Sequence, residues 1–332
     1  MKRYILFFLP LLLFTSCIDE DELDNDPRGN FEALWKIMDE HYCFFKEKNV
    51  DWNAVHAKYA QQIDNSMTES QTFEVLTHML SELRDGHVNL YTSFDVGRYW
   101  AWHENYPSNV SDTLIRRYLG TDYRIASGLR HRIHDDNVAY VRCTTFENAL
   151  GDGNLDQMLL YLAPCKGLIL DLRGYTGGGL TSAEQLGARF CNEKTNVGYM
   201  RHKTGKGHDD FSSLEAQYIK PSKGVRWQKP VVVLVNREVY SAANEFVKYM
   251  KVFPKCTVVG DSTGGGGGLP FSSELPNGWA IRYSACPMYD VDYRLAEPGV
   301  APDAKVSLSQ EDFNRGLDTI IEYARRLLSQ GH

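Results

Sequence analysis

The sequence predicts an α/β protein with a helical N-terminal part, and two patterns indicate this. Through residues 137–328, apolar runs of strand length alternate with helical patterns, which is typical of an α/β domain. Residues 30–84 instead carry apolar side chains at helical spacing without strand patterns. The chain has 332 residues and is 43% apolar, so it can bury a substantial core.

The first 17 residues are predicted to be a secretory signal. Lys2 and Arg3 precede an apolar run over 5–14, and a Leu-Phe-Thr-Ser-Cys segment ends at Cys17. This segment resembles a bacterial lipobox, which implies cleavage before Cys17 and a diacylglycerol on its sulfur. The alternative is an ordinary signal peptide with a chance cysteine. The lipid would anchor the protein to a membrane.

Residues 18–29 are acidic and polar, as in a flexible tether. Acidic residues after such a cysteine resemble the surface-export signal of some Gram-negative lineages. The predicted location is the cell envelope, lipid-anchored at the outer membrane, on its periplasmic or its outer side. The net charge of −7 and the lack of a long basic run argue against nucleic acid as a partner. The six other cysteines show no disulfide framework and are expected to be buried thiols.

The N-terminal part, residues 30–90, is predicted to hold three helices. Asn30 can cap the first, the second covers about 52–63, and Thr68 with Gln71 forms a possible capping box for the third.

Gly86 is a natural end for the third helix, and residues 88–92 alternate as a strand does. His87 therefore lies on a tight turn. There it is either a solvated surface residue or a group whose direction the backbone determines.

Residues 91–136 form a connecting segment with few clear periods. The aromatic residues within 99–106 either line a groove or pack over a sheet. His131 and His134 lack further ligands at a recognisable spacing, so no metal site is predicted.

The core, residues 137–332, begins with a strand over 138–142 and a helix over 155–162. A strand from 167 ends at Asp171, and a glycine-rich turn and a helix over 181–190 follow. The turn has neither dinucleotide-binding nor Walker spacing, so no cofactor is predicted. Glycines can also bring backbone N–H groups up to a developing anion.

Residues 231–250 predict a buried strand over 231–235 and a helix over 242–250, with Ser241 between them. Ser241 is either an N-cap or a nucleophile in the positive field of the helix terminus.

The remaining segments complete the alternation. Residues 195–228 are expected to be a loop or a hairpin, and the five glycines of 264–268 a mobile loop. Strands are expected at 257–260 and 279–286, and Ser309 or Asp312 caps a final helix.

Four segments occur in an order that identifies a family. They are Asp85-Gly-His87, the strand and turn of 167–178, Tyr240-Ser-Ala242, and Thr263-Gly-Gly with Gly299-Val-x-Pro-Asp303. The order resembles peptidase family S41, which contains C-terminal-processing and tricorn-type serine peptidases, over roughly 30–328. The resemblance implies a crotonase-like catalytic core with a helical N-terminal subdomain. Many members insert a PDZ domain after Asp-Gly-His, but 88–137 is too short for a complete one.

The family implies roles for particular residues. Ser241 would be the nucleophile, and the N–H groups of Gly177 or Gly178 and of Ala242 would receive the oxyanion. Processing proteases take their base from a lysine in the segment that is 263–268 here, and this segment has no lysine. The tricorn-like subgroup instead uses the histidine of Asp-Gly-His, which is His87.

An acid is expected to orient this base. The candidate is Glu297, which is shifted by one residue from the family position. Asn244 replaces a glutamate that many relatives carry three residues after the serine. With imidazole as base, activity should fall on acidification through a pKa of about 6.5.

The predicted function is therefore a serine endopeptidase of the cell envelope that hydrolyses peptides or proteins through a Ser241 acyl-enzyme. The alternative, favoured by Asn244 and the glycine loop, is a weak or inactive member that binds peptides. A carbohydrate-binding lipoprotein has support only from the aromatic residues of 99–106. The sequence predicts no oligomeric state.

Overall fold

The structure is a computed structural model that describes residues 23–144, 146–147 and 149–330. The predicted signal segment and Cys17 lie outside the described residues. Within the described ranges, no helix is long and apolar enough to cross a membrane.

Three helices open the described chain, as predicted. They are α1 (Pro27–His41), α2 (Trp52–Tyr59) and α3 (Glu69–Ser81). Asp26 rather than Asn30 caps α1, because its carboxylate accepts a hydrogen bond from the first turn and Pro27 suits the first helical position. The capping box of Thr68 and Gln71 is present at α3.

The connecting segment contains short strands and helices of its own. They are β1 (Asn89–Tyr91), β2 (Val96–Arg98), α4 (Ala101–Glu104), α5 (Asp112–Leu119), β3 (Arg124–Ala126) and β4 (Leu129–Ile133). β3 and β4 form an antiparallel hairpin that extends the main sheet.

Strands and helices then alternate to the end of the chain. They are β5 (Val138–Arg142), α6 (Asp152–Leu162), β6 (Gly167–Asp171), α7 (Leu180–Gly187), β7 (Thr195–Met200), β8 (Glu215–Ile219), β9 (Val231–Val235), α8 (Ala242–Val252), β10 (Cys256–Gly260), β11 (Gly268–Glu274), β12 (Ala280–Tyr289), β13 (Ala304–Lys305), α9 (Gln310–Asn314) and α10 (Thr319–Ser329). This confirms the predicted α/β class with a helical N-terminal part.

The main sheet has seven strands in the order β13-β10-β9-β6-β5-β4-β3, and its strands from β5 to β13 are parallel. Helices α6, α7 and α8 cover one face, and α5 and α10 cover the other. Within β9, Val231 and Val233 pack towards the first group of helices, and Val232 and Leu234 towards the second. Burial on both faces explains the continuous apolar run of this strand.

A second sheet pairs strands from the N-terminal third of the chain with strands from its C-terminal half. Its order is β2-β1-β12-β7-β8, with β11 also paired to β12. β1 pairs with β12 so that Leu90 faces Ile281, and helices α1 and α3 pack against this sheet through Leu34 and Phe73. A strand from late in the chain therefore positions the turn that carries His87.

The candidate residues converge at one edge of the main sheet. Because β6, β9 and β10 are parallel, their carboxyl ends lie at the same edge, where ligand sites of such sheets form. β6 leads into the glycine-rich turn, β9 into Ser241, and β10 into the loop 264–268.

Candidate active site

Ser241 lies between β9 and α8 in a backbone conformation that is rare for a residue with a side chain. Its φ is 56° and its ψ is −128°, and its hydroxyl makes no capping hydrogen bond to the helix. Its N–H donates to the carbonyl of Gly265 at 2.9 Å. Strained backbone at a polar residue is typical of functional sites, and it leaves the hydroxyl available to another partner.

That partner is His87. Its Nε2 lies 2.8 Å from Ser241 Oγ, although the two residues are 154 positions apart. The imidazole is buried and packs against the Tyr240 ring, with ring centroids 4.9 Å apart. Its Nδ1 has no hydrogen bond of normal geometry within the described chain, although the Gly268 backbone lies near enough to favour the charged ring.

The surroundings of His87 favour its neutral form. Burial lowers the pKa of the imidazole to about 4. The Asp85 carboxylate opposes this shift, whereas Arg282 and Lys48 add to it. The ring is therefore neutral at neutral pH, as a proton acceptor must be, and the pKa of about 6.5 expected from sequence is too high.

Asp85 is a fully buried carboxylate to which the sequence assigned no role. It accepts hydrogen bonds from the backbone N–H of His87 at 2.8 Å, from the Tyr42 hydroxyl at 3.0 Å and from the Ser284 hydroxyl at 2.9 Å. Burial alone would raise the pKa of Asp85, but attraction to Lys48 and His87 and these hydrogen bonds lower it overall. An ionised Asp85 therefore holds the turn that presents the imidazole.

Glu297 lies in the same buried region but does not bond to the imidazole. One of its oxygens is 2.7 Å from Lys48 Nζ, and the other accepts from the N–H of Gly267 at 2.9 Å. Burial raises the pKa of Glu297 to about 7, the nearby Asp85 adds to this, and Lys48 opposes it. The direct orientation of His87 by Glu297 that the sequence predicts is thus replaced by contacts with a lysine and a loop.

The glycine-rich turn after β6 packs directly against the nucleophile turn. Gly177 and Gly178 have φ values of 108° and 136°. A Cβ on Gly177 would lie 2.8 Å from the Tyr240 carbonyl oxygen and 3.1 Å from the Ala242 nitrogen. Within the described residues, no hydrogen bond occupies the N–H groups of Gly177, Gly178 and Ala242. These are the predicted oxyanion donors. Ala242 follows Ser241 directly and the Gly177 position packs against it, whereas the Gly178 position packs against the backbone of Phe146 and Glu147.

A buried ion network holds this turn in place. The Arg173 guanidinium is fully buried and donates to Asp171 at 2.8 Å and to Asp318 at 2.9 Å. Arg142 also contacts Asp171, at 3.2 Å. The turn is further tied by a 2.9 Å bond from the Gly174 N–H to the Asn236 side chain. Sequence reasoning noted Asp171 and Arg173 but could not place Asp318, the second partner of Arg173.

The loop of five glycines is packed rather than open. A Cβ on Gly265 would lie 1.8 Å from the Glu297 carbonyl oxygen, and one on Gly266 would lie 2.6 Å from the Tyr240 ring. On Gly268 it would lie 2.5 Å from the Ser284 Cβ. The glycines therefore permit close packing around the site, which differs from the mobile loop that the sequence predicts.

Asn244 occupies the position where many relatives carry a glutamate, and its side chain makes hydrogen bonds to neighbouring loops. Its side-chain oxygen accepts from Thr263 Oγ1 at 2.6 Å, and its amide donates to the Ala296 carbonyl at 3.3 Å. Thr263 in turn accepts from the Val300 N–H at 2.6 Å. Asn244 thus links α8 to both segments that flank Glu297.

The aromatic segment 99–106, for which the sequence left open a groove or packing over a sheet, reaches the site through Trp102. Trp102 stacks on Tyr240 with ring centroids 4.2 Å apart and contacts the positions of Gly86 and Gly264. A cavity of about 380 Å³ lies here, and its walls include Lys48, Glu297 and Trp102.

The first three lysines after the nucleophile in sequence bond elsewhere. Lys248 pairs with Glu245 at 2.5 Å, Lys251 pairs with Asp303, and Lys255 donates to the Gln228 carbonyl.

Comparison with known proteins shows the family of the chain. Residues 137–306, about half of the chain, match the model of peptidase family S41. The chain belongs to peptidase family S41. Residues 23–81 also match the model of the tricorn protease C1 domain. His87 lies between the two matched ranges, whereas Ser241 and Glu297 lie within the second.

Two similar proteins match this chain over different lengths. A candidate peptidase from Parabacteroides merdae is 48% identical, with a TM-score of 0.87, and the match covers 92% of this chain and 97% of that one. The carboxy-terminal processing protease CtpA of Bacillus subtilis is 25% identical over 176 residues, which is 52% of this chain. The match spans 36% of the length of that protease.

The fold recurs in more distant structures. Mature CPAF, solved with lactacystin, is 11% identical with a TM-score of 0.69, and the match covers 91% of this chain and 97% of that one. At this identity the likeness shows the fold alone.

Proposed function

We propose that this S41 family member is a serine endopeptidase with Ser241 as its nucleophile. The 2.8 Å between Ser241 Oγ and His87 Nε2 is the observation that carries the proposal. Oγ attacks the peptide carbonyl carbon while its proton passes to Nε2, and the imidazolium then protonates the leaving amine as the C–N bond breaks. Water, deprotonated by the same nitrogen, hydrolyses the Ser241 ester and restores the hydroxyl.

The developing oxyanion has donors beside the nucleophile. The N–H groups of Gly177, Gly178 and Ala242 lack acceptors in the described chain, and the Ala242 N–H lies at the positive end of α8. Donors that are held in place before the reaction stabilise the tetrahedral intermediate without reorganisation.

The charged form of His87 needs a counter-charge during the reaction. Asp85 raises the pKa of the imidazole and bonds to the backbone of the same residue. We infer that this ionised carboxylate stabilises the imidazolium. We also infer that Glu297 affects His87 indirectly, through its hydrogen bond to the loop 264–268.

The same geometry favours the tricorn-like arrangement, in which histidine rather than lysine is the base. Lys248, Lys251 and Lys255 each have partners away from Ser241. The substrates would be peptides or proteins, and no cofactor takes part in the steps above.

Labelling with a fluorophosphonate, followed by mass spectrometry of the peptide that contains Ser241, tests the assignment. The wild type should gain one phosphonyl group on Ser241, and Ser241→Ala should gain none. His87→Ala should react far more slowly although its serine is intact. Labelling of another residue, or equal rates in wild type and His87→Ala, would contradict the proposed pair.

A second candidate is a peptide-binding member with little turnover. It is favoured by the unbonded Nδ1 of His87 and by the low pKa of the ring, about 4. Peptides that bind wild type and Ser241→Ala equally, with no cleavage and no labelling, would support it.

We further propose a lipid anchor at Cys17, on the strength of the lipobox-like segment. Acyl chains contribute about 0.8 kcal/mol per buried CH₂, so Cys17→Ala should move the protein from the membrane to the soluble fraction. Unchanged fractionation of the variant would exclude the anchor.

A further inference from the structure

Lys48 is a largely buried cation that neither the family motifs nor the proposed reaction includes. It lies between α1 and α2, where its N–H donates to the Phe44 carbonyl at 3.0 Å and its own carbonyl accepts from Arg84 Nη2 at 2.7 Å. Its side chain is 13% exposed. The backbone of Lys48 is therefore bonded to the residue that begins the Arg84-Asp85-Gly86-His87 turn.

The ammonium has three oxygen neighbours. Nζ lies 2.7 Å from Glu297 Oε1, 3.0 Å from the Arg84 carbonyl oxygen and 3.8 Å from Asp85 Oδ2. Of the three N–H donors of the ammonium, two make hydrogen bonds, to Glu297 and to the Arg84 carbonyl, and Asp85 is an ion-pair partner at longer range. Lys48 thus connects Asp85, on the turn that carries His87, to Glu297, which is 249 positions away from Lys48.

Those two carboxylates need this cation. Asp85 and Glu297 are both buried and each disfavours the charge on the other, since Asp85 raises the pKa of Glu297. Removing the ammonium would leave two like charges in a poorly solvated region, which proteins avoid by protonation or by moving one group.

Both acids also hold backbone on the two sides of the imidazole. Asp85 accepts the N–H of His87, and Glu297 accepts the N–H of Gly267, next to the Gly268 backbone that lies near the ring. Lys48 has no contact with Ser241 or with the imidazole among the described contacts. Its charge lowers the pKa of the imidazole from a distance, and its contacts reach the base through the turn and the loop.

We infer that Lys48 is a positioning residue that locks the His87 turn and the loop 264–268 together through Asp85 and Glu297. This inference rests on the proposed Ser241–His87 function. It assigns the N-terminal helical part a role in catalysis that the family motifs do not include.

Three variants test the lock. Lys48→Met keeps the apolar stem and removes the charge, and Lys48→Arg keeps the charge, with the adjoining cavity to receive the larger head. Lys46→Met is the matched control, because Lys46 is in the same loop but 78% exposed and pairs with an 81% exposed Asp209.

Lys48→Met should lower the rate of fluorophosphonate labelling and kcat/KM by about 10–100-fold, as small misplacements of catalytic groups do. KM should change little, since Lys48 is not expected to touch substrate. Lys48→Arg should recover most of the loss, and Lys46→Met should match wild type. Equal labelling of Lys48→Met and wild type, per folded molecule, would overturn the inference.

A double variant covers the case in which Lys48→Met folds poorly. Lys48→Met with Glu297→Gln removes the unpaired charge, so it should melt nearer to wild type but keep a low labelling rate, because the tie to Asp85 and Arg84 is still missing. If it labels at the wild-type rate, Lys48 only balances charge and the lock is wrong.

Nuclear magnetic resonance separates this inference from the proposed function. With ¹⁵N-labelled histidine, the His87 signals, assigned with His87→Ala, should shift in Lys48→Met and stay unchanged in Lys46→Met. If wild type does not react with the fluorophosphonate, the proposed function alone is refuted. Unchanged His87 signals in Lys48→Met would refute the lock alone.

Discussion

Two buried charge clusters flank the candidate site, and they differ in their balance. The turn cluster supports the oxyanion turn, and its members are Asp171, Asp318, Arg142 and Arg173. The base cluster supports the imidazole turn, and its members are Asp85, Glu297 and Lys48. The first has two charges of each sign. The second has two carboxylates and one ammonium.

The pKa values follow from this difference. Despite its burial, the pKa of Asp171 is well below its usual range because Arg173 and Arg142 attract its charge. The pKa of Glu297 is raised to about 7 by burial and by Asp85. The turn cluster is thus a scaffold of constant charge, whereas the base cluster titrates near neutral pH.

The largest effect is expected at the pair that both clusters serve. Ser241→Ala and His87→Ala should each lower kcat/KM by about 10⁴-fold or more, as deletions within catalytic triads do. The double variant should be little worse than either single one, because residues that act as a unit lose function together. Steady-state kinetics on the three variants, with melting curves as the fold control, checks this. If the loss in the double variant equals the product of the two single losses, the two residues do not act as one catalytic unit.

The next largest effect is a loss of folding stability, and it is expected in the turn cluster. Arg173→Met leaves the buried Asp318 without a cation and leaves Asp171 with Arg142 as its remaining cation. It should therefore destabilise the fold by about 3–5 kcal/mol. Arg294→Met is the control, because that arginine and its partner Asp292 are 76% and 60% exposed. Urea unfolding measures both. A loss below about 1 kcal/mol for Arg173→Met, as at exposed pairs, would mean that the turn cluster is not a scaffold.

The base cluster should make folding stability depend on pH with a sign opposite to that of the turn cluster. A carboxyl whose pKa rises from about 4.3 unfolded to about 7 folded is stabilising only when protonated, so stability should fall between about pH 4.5 and about pH 7. Wild type should lose about 1–3 kcal/mol from this group, and Glu297→Gln should not. For Asp171, whose pKa is lowered, stability is present above about pH 4 and is lost below it.

Urea unfolding of wild type and Glu297→Gln across this range decides the point. Parallel stability profiles for the two proteins would show that Glu297 does not titrate there.

Kinetics should show two steps on acidification rather than one. A drop of about tenfold or less is expected near pH 7, where protonation of Glu297 weakens its tie to Lys48. The main loss should come near pH 4, where His87 gains a proton. Glu297→Gln should show the lower step alone. A single step near pH 6.5 in both enzymes would indicate a solvated imidazole instead.

The smallest effect is expected outside both clusters. Lys251 pairs with Asp303, and the two side chains are 31% and 41% exposed, so Lys251→Met should cost about 1 kcal/mol or less. Labelling of Ser241 should stay at the wild-type rate. Loss of labelling in a folded Lys251→Met would point to a lysine base and would break the Ser–His model.

Some of this architecture follows from the sequence alone, because its causes are local. The bounds of the strand Val231–Val235 match the predicted ones, since a continuous apolar run has one favourable environment, a sheet covered on both faces. The capping box of Thr68 and Gln71 spans four residues and needs no distant partner. The junction position of Ser241 follows from the adjoining strand and helix patterns in the same way.

Other features depend on which distant segments pack together, and the sequence does not encode this in any local pattern. Asp85 acquires Tyr42 and Ser284 as partners, 43 and 199 positions away, because β12 pairs beside the His87 turn. The contact of Glu297 with Lys48 spans 249 positions. The family resemblance therefore suggested Glu297 as the partner of the imidazole, and neither it nor any local pattern pointed to Lys48. Only the tertiary structure decides how such charges share a buried volume, because their energies depend on distance and solvation rather than on spacing along the chain.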